Sequence, residues 1–350
     1  PPPPPTRPRP PPRPRPRRPA PCPLPRRPPP SPEPETSITH PHHSQHTLAP
    51  TPTKILVATD FSTTAESAER LALKMARSLG ADLHLLHVRV ILEDPLMAEE
   101  KHLQIERLMS SVDDATREAF DRDHLDRPDV SVHTHLVRST SAAEAITETA
   151  AELGCDLIVM GTHGRRGIKH LLLGSVAENV VRCVGVPVLT VRPMIDVSDF
   201  GPNHILVTHD FSDRSTEAVR IAGAWADALG AELTLLHVVE PVVYPDYYAI
   251  NMASSDTMTR LRDRAVVALD RAADEILGAR PVNTTVLIGR AAETIIVEAE
   301  ASEIDLVVMG TRGLSGLEQL VLGSVAEAVL RRCPVPLLTV SGEDAEEVRK

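Results

Sequence analysis

The sequence runs through one pattern twice. Lys54-Ile-Leu-Val-Ala-Thr-Asp-Phe-Ser62 returns as His204-Ile-Leu-Val-Thr-His-Asp-Phe-Ser212, 150 positions on, and Leu85-Leu-His-Val88 returns as Leu235-Leu-His-Val238 at the same offset. Gly161–Val191 matches Gly310–Val340 at offset 149, with 18 identities in 31 positions. A repeat of this length constrains the architecture before any element is assigned, because whatever one copy folds into, the chain contains it twice. The expected organisation is a disordered Pro/Arg-rich extension over residues 1–52, a first domain over 53–193, a short linker, and a second domain over 203–341. A length of 350 residues suits two domains of ordinary size.

Within the first copy, strands are expected near 54–59, 83–90, 130–137, 156–160 and 187–192. Leu157-Ile-Val-Met160 is apolar throughout, as a strand buried on both faces is. Residues 63–79 carry Ala65, Ala68, Leu71, Ala72, Met75 and Leu79 at helical spacing. Gly80 stops that helix, as Gly230 stops its counterpart. Alternating strands and helices predict an α/β fold: two tandem doubly wound, Rossmann-like, five-stranded, mostly parallel sheets. The last strands, Val186-Pro-Val-Leu-Thr-Val191 and Val335-Pro-Leu-Leu-Thr-Val340, are apolar and begin with Pro, which suits the edge of each sheet.

Composition removes several classes of function. The formal charge of −11 is uneven: residues 1–50 hold eight Arg, two Glu and 22 of the 33 Pro, contributing +6 and leaving −17 for residues 51–350. An acidic folded part is not a general nucleic-acid binder, and aromatics at 2% are too few for base-stacking platforms. No apolar run approaches the ~18 residues of a membrane span, so no membrane association is expected. Cys22, Cys155, Cys183 and Cys333 lack C-x-x-C spacing, which indicates neither a zinc site nor a disulfide framework. The extension carries no apolar signal stretch, so a cytoplasmic location is the expectation. It could bind SH3-like grooves or polyanions, and a disordered arm is the plainer reading. His40, His42, His43 and His46 follow without a carboxylate or thiolate partner, and no metal site is assigned there.

In a doubly wound sheet, ligands bind beyond the carboxyl ends of the strands, where the strand order reverses. The first strand ends in Ala58-Thr59-Asp60 and the fourth in Met160-Gly161. Gly161-Thr-His-Gly164 follows, then nine residues, then Gly174-Ser175 opening a helix; the second copy has Gly310-Thr-Arg-Gly313, nine residues, and Gly323-Ser324. Glycines let backbone approach a ligand closely, and a helix N-terminus favours an anion. Two readings stand. The pattern is a phosphate cradle, or Ser175-Val-Ala-Glu178 and Ser324-Val-Ala-Glu327 are capping boxes that serve stability alone.

The pattern G-x2-G-x9-G-[ST], joined to an Asp after the first strand and His-Val in the second, resembles the universal stress protein family over about residues 53–192 and 203–341. The resemblance implies ATP binding. In the first copy it places Ala58, Thr59, Asp60 and Val88 at adenine and ribose, and Met160, Gly161, Gly164, Gly174, Ser175 and Val176 around the phosphates, with Arg165 as a phosphate-facing cation. In the second copy it offers Asp210, Val238, Met309, Gly310, Gly313, Gly323, Ser324 and Val325. It further implies that the last strands of the two copies pair around a pseudo-twofold axis, with homodimerisation of the whole chain permitted.

The copies are not equivalent. Loop 162–173 carries Arg165, Arg166 and Lys169 without an acid, whereas loop 311–322 balances Arg312 against Glu318; His209 stands where the first copy has Thr59. Tighter ATP binding by the first copy is expected. Mg²⁺ accompanying ATP could bridge the phosphates and Asp60. No general base is evident: Ser62 reads as a helix cap, His87 and His237 as satisfied sheet residues, and His133 and His135 as surface histidines sharing one strand face. Hydrolysis or autophosphorylation is therefore expected to be slow at most. The rival reading is a nucleotide-independent stress-response scaffold.

Overall fold

Each copy opens on a strand whose central residues are wholly apolar and wholly buried. β1 (Lys54–Thr59) and β6 (His204–Thr208) hold Ile55, Leu56, Val57 and Ile205, Leu206, Val207 at zero exposure. The computed structural model describes residues 51–91, 129–164, 173–193, 195, 201–241, 255–301, 303–311 and 322–341. The extension, Arg165, Arg166, Lys169, Arg312, Gly313 and Glu318 lie outside the described residues.

In the first half, β1 is followed by α1 (Thr63–Leu79), β2 (Asp82–Val90), β3 (Val132–Ser139), α2 (Ala142–Leu153), β4 (Leu157–Gly161), α3 (Ser175–Cys183) and β5 (Val188–Val191). The second half has β6, α4 (Asp213–Leu229), β7 (Glu232–Val239), α5 (Ser255–Leu277), β8 (Asn283–Ile288), α6 (Ala291–Ala301), β9 (Leu306–Gly310), α7 (Ser324–Arg332) and β10 (Leu337–Val340). The strands and α1 fall where the apolar spacing placed them, within two residues at each end. Gly80 and Gly230 close α1 and α4 in the left-handed region, at φ 69° and 68°.

The two five-stranded halves join into one ten-stranded sheet, ordered β3-β2-β1-β4-β5-β10-β9-β6-β7-β8. Every pairing is parallel except β5 with β10, where Leu189 stands opposite its own equivalent, Leu338. This register puts a local twofold axis at that pair. Thr190 Oγ1 donates to Leu337 O and Thr339 Oγ1 to Val188 O, both at 3.1 Å. Arg192 crosses the seam to donate to Arg332 O at 2.8 Å and Cys333 O at 3.1 Å, placing a cation on the last carbonyls of α7. Both halves fall within one compact unit.

Helices cover both faces. Odd-numbered residues of β1 and β2 (Ile55, Val57, Leu83, Leu85) share a core with α1, α4, α5 and their second-half equivalents; Leu56 and Leu86 share the opposite core with α2, α3, α6 and α7. No described helix is long and apolar enough to cross a membrane.

Leu189 and Trp225, the chain's single tryptophan, belong to the same buried cluster although they lie in different halves. Leu189→Ala should cost about 2–4 kcal/mol. It should also lower the denaturation midpoint read by Trp225 fluorescence in the second half. A Trp225 transition unmoved by the change would mean that the halves unfold independently.

Candidate functional site

β1 has β2 on one side and β4 on the other, so the strand order reverses between β1 and β4. A cavity of about 590 Å³ opens there in the first half. It is lined by Ala58, Thr59 and Asp60 from β1 and its end, Val88 from β2, Met160 and Gly161 from β4, Gly164, and Gly174, Ser175 and Val176 at the start of α3. Every described residue singled out from the first copy thus faces one space. Thr162, His163 and Leu173 of the glycine loop, not assigned to the site from sequence, also line it, as does Ile146 of α2. Ile146 belongs to a helix that only the tertiary fold brings there.

The turn after β1 is held by its own polar groups. Phe61 N donates to Thr59 Oγ1 at 3.1 Å, and Ser62 N donates to Asp60 Oδ1 at 3.0 Å. Phe61 sits at φ 60° and its equivalent Phe211 at φ 65°, a left-handed conformation that non-glycine residues seldom take. Ser62 caps α1 by accepting from Ala65 N at 3.2 Å. His87 Nδ1 donates to Thr59 O at 2.8 Å and His237 Nδ1 to His209 O at 2.7 Å, so both are satisfied and their tautomers are set.

The glycine loop folds back onto this turn. A Cβ on Gly164 would lie 2.5 Å from Asp60 Oδ2, and one on Gly174 would lie 2.9 Å from Thr162 O. Gly174 N donates to that same carbonyl at 2.8 Å. The capping-box alternative is decided by α3 itself. Gly174 is the N-cap, no side chain caps the helix, and Glu178 pairs with Arg182 at 2.6 Å. α7 repeats this with Gly323 as N-cap and Glu327 paired to Arg331 at 2.6 Å. The first amides of both helices are therefore left without a side-chain acceptor, beside exposed Ser175 in the first half.

The second half forms the equivalent cavity at about 170 Å³. Asp210, Val238, Met309, Gly310, Gly323, Ser324 and Val325 line it. His209 and Ser215 stand there where the first half has Thr59 and Ala65. His209 is 4% exposed, with Nδ1 2.8 Å from Ser215 Oγ. Burial holds its imidazole below the usual range, opposed by the Asp210 carboxylate and reinforced by His237.

His133 and His135 do share a face; His133 is exposed, as expected, and His135 is half-buried. His84 of β2, 8% exposed, joins them, with Nδ1 3.0 Å from His135 Nε2. The alternation within β3 could pair His133 with His135; only the β2–β3 register brings in His84. Among the described residues, no group of three His, Cys, Asp or Glu side chains is arranged to hold a metal ion.

A twice-repeated α/β unit with a glycine loop at its switch point defines the class of protein, and the comparisons define the family. The universal stress protein family matches residues 52–192 and 202–341. A Thermus aquaticus universal stress protein is 37% identical over 136 residues, which is 39% of this chain and 96% of that protein. A Mycobacterium tuberculosis universal stress protein is 32% identical over 216 residues, 60% of this chain and 68% of that protein. The crystal structure of a universal stress protein from Archaeoglobus fulgidus superposes with a TM-score of 0.58 at 21% identity, covering 83% of this chain and 99% of that one. The chain belongs to the universal stress protein family.

If α3 is uncapped by side chains, Ser175→Ala should change stability by less than about 0.5 kcal/mol, whereas Ser62→Ala should cost about 1 kcal/mol. Denaturant titration of both variants checks the contrast. Equal losses would restore the capping-box reading.

Proposed function

We propose that the first half is an ATP-binding module, with nucleotide acting as a signal or structural ligand in a stress response. The observation that carries this reading is the cavity of about 590 Å³ at the switch point, ending on the side-chain-free N-terminus of α3. That volume lies within the ~300–1,000 Å³ of small-ligand sites. The helix amides, Gly174 N-cap and Ser175 supply donors of the kind that hold phosphate, while Ala58, Val88 and Met160 supply apolar wall for a base. Arg165, Arg166 and Lys169 would add positive charge toward the phosphates. The donor set suits phosphate, and the Asp60 carboxylate, which accepts from Ser62 N and lies against Gly164, would meet a Mg²⁺ carried by ATP.

The second half holds ATP more weakly. Its cavity of about 170 Å³ is below the size that takes a whole nucleotide, and His209 and Ser215 line it where Thr59 and Ala65 line the larger one. Among the described residues, His209 is bonded to Ser215, and His87 and His237 to backbone carbonyls, so none of these three is placed as a general base at the cradle. Hydrolysis is accordingly slow at most. A cytoplasmic location and homodimerisation belong to the same reading.

Protein purified without added nucleotide should release ATP on denaturation at near one per chain, identified by chromatography and mass. Gly164→Val should weaken ATP binding by about 100-fold or more, because the new side chain meets the Asp60 carboxylate, and Gly313→Val should leave most of the affinity. Two ATP per chain would refute the unequal halves. Protein that is empty and whose melting temperature ignores ATP would favour the nucleotide-independent scaffold.

A further inference from the structure

β2 and β3 lie in register with His84 opposite His133 and Leu86 opposite His135. Because side chains alternate across a strand, His84, Leu86 and Val88 share one sheet face with His133, His135 and Val137, and this is the face α2 covers through Ile146 and Ala150. The His84 ring stacks near those of His133 and His135, with centroids 4.9 and 5.3 Å away and planes 24° apart. His84 Nδ1 and His135 Nε2 are 3.0 Å apart, and His133 Nε2 is 3.1 Å from Ser131 Oγ. A ring-to-ring N–H···N bond needs one nitrogen to accept. It survives with one proton too many on the pair but not with two, when N–H faces N–H and two cations lie side by side.

The surroundings add little to offset that charge. Among the described residues, Lys54 of β1 adds repulsion to His84 and Asp82 of β2 is the one carboxylate acting against it. α2 meets the sheet with Ala145, Ile146, Thr149 and Ala150, while its Glu144, Glu148 and Glu152 are exposed. Burial first, then the neighbouring histidines, hold His84 and His135 below the usual imidazole range. The folded first half therefore binds fewer protons than the unfolded chain once pH falls below about 6.5. The stability held above that pH is lost as pH drops through the depressed folded values.

The second half provides an internal reference. Its register-equivalent positions are Thr234, Asn283 and Thr285, without a histidine pair, and the neighbouring histidine is His204, with Nε2 2.8 Å from Thr234 Oγ1. The same strand face that carries His84 continues into Leu86 and Val88, which line the first-half cavity together with Ile146 of α2.

We propose that His84, His133 and His135 form a proton-operated latch on the outer edge of the first half. Closed near neutral pH, it holds β2, β3 and α2 together and keeps one wall of the cavity formed; opened by acid, it loosens that wall. Among the described residues, the acid-sensitive group of the second half is His209, at the end of β6 and outside β7 and β8. The consequence for nucleotide affinity rests on the ATP reading above, whereas the opening itself does not.

Hydrogen exchange on the full chain at about pH 7.5 and about pH 5.5, corrected for intrinsic exchange rates, tests the opening. Protection in peptides covering β2, β3 and α2 should fall by about fivefold or more at the lower pH, with β7, β8 and α6 changing by less than about twofold. Grafting the second half's residues (His84→Thr, His133→Asn, His135→Thr) should abolish the difference between the two pH values. Should that variant fail to fold, His135→Asn, which removes the titrating partner of His84, should at least halve the effect. Unchanged protection in the unaltered protein, equal loss in both halves, or the same loss in the folded variant would each overturn the latch.

ATP titrations at the two pH values should show affinity weakened by about tenfold at the lower pH in the unaltered protein relative to the variant, a comparison in which titration of ATP itself and of His209 cancels. ATP bound equally at both pH values would overturn the coupling to the cavity. ATP bound at neither would count against the nucleotide reading, and the exchange data would still decide the latch.

Discussion

The antiparallel pairing of β5 with β10 organises the molecule. All four residues of each strand are buried, and each would be the exposed edge of an isolated five-stranded sheet. A bare apolar edge presents a row of unmet backbone donors and acceptors to any other chain. Here each half satisfies the other's edge, and Thr190 and Thr339 add symmetric hydroxyl bonds to the opposite backbone. Because β5 and β10 run in opposite directions while each is parallel to its own half, the carboxyl ends of the two halves' strands point in opposite directions along the sheet. The two cavities therefore open at opposite ends, and neither half contributes a described lining residue to the other's cavity.

Within a half, the site follows from strand order and one close approach. The reversal between β1 and β4 leaves a crevice, and the loop leaving β4 bends back until Gly164 lies against Asp60. A side chain at that position would displace the loop or the carboxylate. The same geometry leaves Gly174 as a cap without a side chain, so the amides of α3 face the cavity rather than a serine. Stability and binding make opposite demands on such a helix end, since a side-chain cap would satisfy the amides that an anion needs. α1 and α4, by contrast, are capped by the side chains of Ser62 and Ser212.

The two copies keep one frame and differ, among other positions, at the site and at the outer strand pair. Thr59 and Ala65 against His209 and Ser215 change the cavity lining at one place; His84, His133 and His135 against Thr234, Asn283 and Thr285 change the chemistry of an outer strand pair at another. The apolar strands around them differ little. A duplicated fold can thus carry two chemically different halves without changing its core, because the core depends on apolar shape while the site and the edge depend on a handful of polar side chains.

Much of this was written in the linear order of residues. The duplication, the strand and helix positions, the glycine stop of α1 and the set of residues at the strand ends all follow from local pattern, because alternation, helical spacing and turn chemistry act over a few neighbours. Three matters required the folded chain. Ser175-Val-Ala-Glu178 fits a capping box equally well in sequence, and only the backbone path showed Gly174 taking the cap and Glu178 turning to Arg182. The first-half cavity is about 590 Å³ and the second about 170 Å³, a difference that no spacing specifies. His84 and His135, 51 positions apart, meet through strand register. Sequence alone determined what each segment would become; the tertiary structure decided which distant side chains would share a proton or a cavity, because those contacts are made across strands and are invisible to neighbours along the chain.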